Sequence, residues 1–122
     1  MMTRLQELYF TIQGWDGFSV KHDLTEYGGG GYAVGGASKP IQVKADEMSW
    51  NFFAYIAMPS LQELTRGKAS NLLIGGWVDD EGMAFLELSD IVQDRRQAIE
   101  LGKEREEKAI YDLWNNEEIK LK

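Results

Sequence analysis

The composition describes a short acidic chain and excludes several classes of protein. Its 122 residues match one ordinary domain, residues 1–122, and 43% hydrophobic side chains suffice for a core. The lack of cysteine excludes disulfides and thiolate zinc sites and favours a cytoplasmic setting. No apolar run approaches the roughly 20 residues of a membrane span. The formal charge of −7 argues against direct binding of nucleic acid through its phosphates.

The first third of the chain carries strand signals around a glycine-rich segment. Residues 1–17 mix weak helical spacing with a strand-like run, so their structure stays open. Residues 17–23 alternate apolar and polar side chains as a half-buried strand does, and Tyr32–Val34 resume a strand after the four glycines of Gly28–Gly31. No phosphate-loop motif is present. We therefore expect the glycines to form a loose hairpin connection.

The next segment predicts an edge strand and two helices that meet at an elbow. Residues 40–45 form a short strand with a proline at its start, where the missing N–H matters least. Asp46 can cap a helix with a wide aromatic face. Pro59 is expected to stop that helix. A capping-box pattern at Ser60 then starts a short helix that ends at Gly67.

The stretch LLIGGWVDDEGMAFLELSDIV predicts a β-hairpin. Leu72–Val78 and Met83–Leu88 are strand-like, and the intervening Asp79–Gly82 offers a glycine for a tight turn. Trp77 is expected to pack between sheet and helix. Glu87 lies between two leucines, so strand alternation predicts that it points the other way, to solvent.

The last third predicts a capped helix and two short strands. Asp94 and Gln97 form a variant of the capping box. The small residues Ala98 and Gly102 would let the helix approach the sheet closely. The strand-like runs AIYDLW and EEIKL follow, with two turn-prone asparagines between them. The whole pattern predicts an α+β fold: an antiparallel sheet of about five or six strands with two main helices, Asp46–Met58 and Asp94–Lys108, packed on it.

Candidate functional residues are carboxylates rather than catalytic groups. Residues 62–122 carry 14 acidic and nine basic side chains. Carboxylates spread over one face can compete with phosphates for the Arg and Lys of a partner, although a solvated acidic surface explains the same residues. The predicted partner-binding residues are Asp79, Asp80, Glu81, Glu87, Asp90, Glu100, Glu104 and Glu107. No catalytic residue, metal site or cofactor is predicted.

Residues Gly75–Leu113 resemble a module in small accessory proteins of phages and other mobile elements. The similar features are a Gly-Gly-Trp strand, an acidic turn, a strand that ends in Ser, a capped helix and an Ala-Ile-Tyr-Asp-Leu strand. The resemblance implies a phage-type inhibitor of host defence, such as an anti-CRISPR protein, in the host cytoplasm. The spread of carboxylates predicts as partner a host protein or ribonucleoprotein with a basic surface, and the resemblance brings no catalytic residues.

Two other functions stay open. His22 is the single histidine and can serve as a general base in a small hydrolase or nuclease if a carboxylate and an Arg or Lys lie close to it. A structural accessory role in a virion or a multidomain protein would instead require an apolar surface patch or self-assembly.

Overall fold

The chain folds into a seven-stranded antiparallel sheet with helices packed on it. A computed structural model describes residues 1–66 and 71–122. The strands are β1 (Phe18–Val20), β2 (Tyr32–Val34), β3 (Ile41–Lys44), β4 (Leu72–Val78), β5 (Met83–Val92), β6 (Ala109–Asp112) and β7 (Glu117–Lys120). The helices are α1 (Arg4–Gln13), α2 (Trp50–Phe52), α3 (Met58–Thr65) and α4 (Arg95–Glu104). The predicted α+β class is confirmed, and α1 adds a helix that the sequence left open.

The long strand β5 organises the sheet. The strands follow the order β1-β4-β5-β2-β6-β7, with β3 also paired to β5. One edge of β5 is therefore covered by β4 alone. The other edge is divided, because β3 pairs with Met83–Leu86 and β2 pairs with Asp90–Val92. The chain between β2 and β3 crosses this division beside Glu87.

The predicted hairpin between β1 and β2 is wrong. β1 pairs with β4, whereas β2 pairs with β5 and β6. The glycine segment between them is tied to the β6–β7 turn, since the Leu113 amide donates to the Gly31 carbonyl at 2.8 Å. Gly31 has a φ of +110°, and the ring of Trp114 occupies the space where a Cβ on Gly30 would lie. Tertiary contacts, which no local pattern encodes, hold this loop.

The second helical region begins later than predicted. Asp46 lies in a 3₁₀ turn, Ala45–Glu47, and the helix begins at Trp50. Its cap is Ser49, whose hydroxyl accepts a hydrogen bond from the Phe52 amide at 3.1 Å. The sequence prediction therefore chose the wrong one of two good capping residues three positions apart.

Pro59 does not stop this helix. α2 continues through a π-helical turn, Phe53–Ala57, into α3, where Pro59 occupies the first turn. The π-helical turn accommodates the proline, because its hydrogen bonds span five residues, as from the Met58 amide to the Phe53 carbonyl, and so shift the backbone pairing where the proline lacks an N–H. Ser60 is not a cap, since its hydroxyl donates to the Ala57 carbonyl at 2.8 Å. The helix end predicted at Gly67 lies outside the described residues.

Two apolar clusters hold the helices on the sheet. The larger one joins α1 and the α2–α3 region to β4 and β5 through side chains such as Ile12, Phe53 and Leu86, each fully buried. The smaller one joins α4 to β2 and β6. Here the prediction of a close approach to the sheet is confirmed, because a Cβ on Gly102 would lie 2.9 Å from Ile110 Cγ2 in β6. None of the described helices is long and apolar enough to cross a membrane.

Candidate functional site

The β4–β5 turn is shaped by the first of its acidic residues. Asp79 Oδ1 accepts hydrogen bonds from the Glu81 and Met83 amides, both at 2.9 Å. Gly82 has a φ of +84°, as a tight turn requires. Asp80 and Glu81 are exposed. The predicted hairpin and turn are thus confirmed, and Asp79 has a structural role that its neighbours lack.

Two other segments of the chain meet this turn. The Ala45 amide donates to the Gly82 carbonyl at 2.8 Å, which brings Asp46 and Glu47 beside the hairpin. The ring of Trp15 lies against Gly82, where an added Cβ would be 2.7 Å from Trp15 Cζ2. Residues distant in sequence therefore share one end of the sheet.

This juxtaposition creates a surface that we call the acidic end. It consists of Asp16, Asp46, Glu47, Asp79, Asp80 and Glu81. All are exposed except the half-buried Asp79, and none forms an ion pair within residues 1–66 and 71–122. No cluster of three or more metal-binding side chains was found in the described parts of the chain. The exposed Lys44 is the adjacent basic residue.

Two exposed tryptophans lie near the acidic turn: Trp15 packs on Gly82, and Trp77 precedes Asp79 by two residues on β4. Trp15 is 53% exposed and Trp77 is 37% exposed. Trp77 stacks on Phe85 with ring centroids 4.3 Å apart and planes inclined by 11°. The prediction that Trp77 packs between sheet and helix is wrong: strand alternation turns it to the face opposite Leu86, which contacts the helices.

Glu87 is not available to a partner as predicted. Its side chain does point away from the leucines, but it is only 6% exposed because the β2–β3 connection and Glu107 cover that face. Burial raises the pKa of Glu87 to about 7, and the nearby charge of Glu107 adds to the rise. Hydrogen bonding by the Trp77 side chain and the Gly36 amide partly opposes this pKa shift.

Asp90 also has a partner inside the molecule. Its Oδ2 accepts a 2.6 Å hydrogen bond from Arg105 Nη2, and both side chains are 24% exposed. Arg105 Nη1 donates in addition to the Gly35 carbonyl at 3.0 Å. This ion pair ties the end of α4 to β5, so a partner would have to break it to reach Asp90.

The remaining predicted residues do not form an acidic helix face. Glu100 pairs with Arg96 at 3.4 Å, and Glu104 is exposed at the last position of α4. Glu107 lies beyond the helix and is half-buried, and burial raises its pKa. Residues 94–108 carry five acidic and five basic side chains, so this region has no net charge.

His22 lines a shallow pocket. It follows β1, whereas Asp16 of the acidic end precedes that strand. The pocket is lined by His22, Pro59, Gln62, Glu63 and Arg66. His22 Nδ1 contacts the Thr65 hydroxyl at 2.5 Å, and Arg66 pairs with Glu63 at 3.3 Å. A carboxylate and a guanidinium therefore share the pocket with the imidazole, but they are bound to each other.

Comparisons with other proteins identify no relative. No protein-family model, curated protein or solved structure matches this chain significantly.

Sequence reasoning missed half of the acidic end. Asp16 lies between α1 and β1, and Asp46 and Glu47 lie in the short 3₁₀ turn after β3, which marks them as surface residues. Their positions in the sequence do not reveal that they converge on Asp80 and Glu81. Covariation between residues 45 and 82 would be one signal able to show that the two acidic turns are neighbours.

Proposed function

We propose that this protein works by binding a partner protein, with the acidic end as the contact surface for a basic region of that partner. The observation that carries the proposal is the Ala45–Gly82 hydrogen bond, which joins two acidic turns into one exposed surface. The surface combines five exposed carboxylates with the exposed rings of Trp15 and Trp77.

Such a surface suits a partner that binds phosphates. Clustered carboxylates attract Arg and Lys side chains over distances of a Debye length and raise the rate of encounter. Aromatic rings can then stack on guanidinium groups, which strengthens the contact. A partner surface made for a nucleic-acid backbone presents the required cations.

The sequence resemblance extends this proposal to a biological role. A phage-type accessory protein with an acidic end would inhibit a host defence or nucleic-acid-handling complex, as an anti-CRISPR protein does. Its partner would be a host protein or ribonucleoprotein in the cytoplasm, and inhibition would arise because the acidic end occupies the channel that otherwise holds nucleic acid.

Matched charge variants test the proposal. The test variant neutralises the acidic end with Asp46→Asn, Glu47→Gln, Asp80→Asn and Glu81→Gln. The control variant makes the same change in net charge at other exposed positions, with Glu100→Gln, Glu104→Gln, Glu117→Gln and Glu118→Gln.

The assay captures the partner from host cells with the unmodified protein, purifies it and measures the release of its labelled nucleic acid. We expect the test variant to release about tenfold less nucleic acid than the unmodified protein, or less still, because several charges act together. The control variant should release less than about threefold less. Equal losses would show that only net charge matters. Equal retention would exclude the acidic end as the contact surface.

A second candidate function, a hydrolase or nuclease, is favoured by one observation. The pocket beside His22 also contains Glu63 and Arg66, the residue types that general-base hydrolysis of a phosphate ester needs. Hydrolysis of a nucleic acid by the purified protein, lost in His22→Ala, would favour this function over binding.

A further inference from the structure

The divided edge of β5 brings two carboxylates close together. Pairing with β3 ends at Leu86 and pairing with β2 begins at Asp90. The connection Gly35–Ser38 bridges the division, since the Ala37 amide donates to the Leu88 carbonyl at 3.1 Å and Ser38 Oγ accepts from the Leu88 amide at 3.0 Å. Glu87 points into this division.

The second carboxylate arrives from another element. Glu107 lies in the connection between α4 and β6, where its amide donates to the Gly102 carbonyl at 2.9 Å. A Cβ on Gly35 would overlap a carboxylate oxygen of Glu87 and one of Glu107. The two carboxylates therefore lie close together over a glycine that leaves room for both.

The charged neighbours only partly offset the repulsion within this pair. The charge of Arg105 lowers the pKa of both carboxyls, but its guanidinium also binds Asp90 and the carbonyls of Val34 and Gly35. The charge of Lys122 lowers the pKa of Glu107. Hydrogen bonds from the Trp77 side chain and the Gly36 amide lower the pKa of Glu87. Two ionised carboxylates this close repel each other, whereas one shared proton would let them attract.

We infer that Glu87 and Glu107 form a proton-dependent latch that holds the α4–β6 connection against the divided edge of β5. With one proton on the pair, the carboxyl O–H of one residue donates to the carboxylate of the other and the connection is closed. When that proton leaves for solvent, two negative charges face each other and the connection opens.

The electrostatics support a transition close to neutral pH. Burial and the charge of Glu107 raise the pKa of Glu87 to about 7. Burial also raises the pKa of Glu107. An open connection would return both groups to water, so opening is coupled to loss of the proton.

Hydrogen exchange at two pH values tests the latch in the unmodified protein. The reporters are the amides of Glu107 and Ala37, one on each side of the contact, and the amide of Ala45 is the control at the opposite end of the sheet. After correction for intrinsic exchange, we expect protection of both reporters to fall about tenfold or more between pH 5.5 and pH 8.5. The control should fall by less than the two reporters, because it reports the stability of the whole fold rather than that of the α4–β6 connection.

Carbon-13 NMR of the two side-chain carboxyls gives an independent readout. At least one of them should titrate near pH 7, and the reporter amides should follow the same curve. Glu87→Gln should make the reporters insensitive to pH, and Glu107→Gln, at a less buried position, should reduce their response. Glu100→Gln is the control, because that side chain is exposed on α4.

Three results would overturn the latch. The first is titration of both carboxyls near their ordinary pKa. The second is reporter protection that differs less than about twofold between the two pH values. The third is an equal change at Ala45, which would mean that the whole fold, rather than this connection, responds to pH. If Glu87→Gln does not fold, the titration and the Glu107→Gln variant still decide the matter.

Discussion

Trp15 lies with its indole ring against Gly82, the glycine of the acidic turn. Both residues have positive φ angles, 60° for Trp15 and 84° for Gly82. The end of α1 and the β4–β5 hairpin therefore meet through two unusual backbone conformations. This contact brings Asp16, the residue after Trp15, to the side of the acidic turn, so the acidic end depends on the backbone of residue 82.

Replacement of Gly82 tests this dependence. We expect Gly82→Ala to lower the free energy of unfolding by about 1–2 kcal/mol, because an L-residue is strained at this φ and the new methyl group would press on Trp15. Gly28→Ala is the control, since nothing lies within 4 Å of an added Cβ there. Urea denaturation measures both. Equal stability of the two variants would contradict the assigned turn geometry.

Asp79 and Asp80 should differ in their contribution to stability. Asp79→Ala removes the acceptor of two backbone hydrogen bonds, so we expect a loss of about 1 kcal/mol. Asp80→Ala removes an exposed side chain and should change stability by less than about 0.5 kcal/mol. Thermal or urea unfolding compares them. A larger loss for Asp80 would indicate a contact that the structure does not show.

Burial of Glu87 predicts a pH-dependent stability. The pKa of its carboxyl is about 7 in the folded protein against an ordinary value of 4.5. Its stabilising contribution is therefore complete below about pH 4.5 and is lost as the pH rises through about 7. Between pH 5 and pH 8 we expect the wild type to lose about 2–3 kcal/mol more than Glu87→Gln. Urea denaturation at both pH values checks this, and parallel losses would contradict the burial of Glu87.

Asp112 does not obscure that measurement. Its pKa is lowered by the side-chain hydrogen bond from Asn115 and by the amides of Trp114 and Asn115. The stability that this depressed pKa provides is lost only as the pH falls through values below the ordinary 3.8. The window between pH 5 and pH 8 therefore isolates the carboxyls whose pKa is raised.

Removal of His22 separates binding from catalysis. We expect His22→Ala to retain partner binding within about twofold, because the acidic end lies elsewhere and an exposed substitution has small effects. Thr65→Ala is a matched control that removes the same contact and keeps the imidazole. Titration of the purified partner measures binding. Loss of binding in His22→Ala with retention in Thr65→Ala would instead place His22 in the interface.

Salt dependence tests the electrostatic mechanism. The Debye length falls from about 10 Å at 0.1 M salt to about 3 Å at 1 M. We expect the association rate with the partner to fall about tenfold or more over this range, with a smaller change in the dissociation rate. Stopped-flow kinetics or surface binding measures both rates. A salt-insensitive association would point to an apolar contact through Trp15 and Trp77.

Local signals account for the elements that the sequence predicted correctly. The β4–β5 hairpin needs only two strand-like runs and Gly82, and α4 needs only Asp94, whose carboxylate accepts from the Gln97 amide at 3.0 Å. The errors have a different origin. Pro59 is tolerated because a π-helical turn precedes it, and the glycine loop is held by residues more than 80 positions away, such as Leu113.

The sequence by itself determined the α+β class, the hairpin with its acidic turn and the capped helix α4, because these depend on alternation, turn chemistry and capping among neighbours. It also determined which residues are acidic. Only the tertiary structure decided what those carboxylates can do. Asp80 and Glu81 stay exposed and gain Asp46 and Glu47 as neighbours, whereas Glu87 is covered by a connection 50 residues earlier in the chain. The physical reason is that the solvation of a charge depends on everything packed around it. Alternation along one strand shows only which face of the strand a side chain is on, not what covers that face.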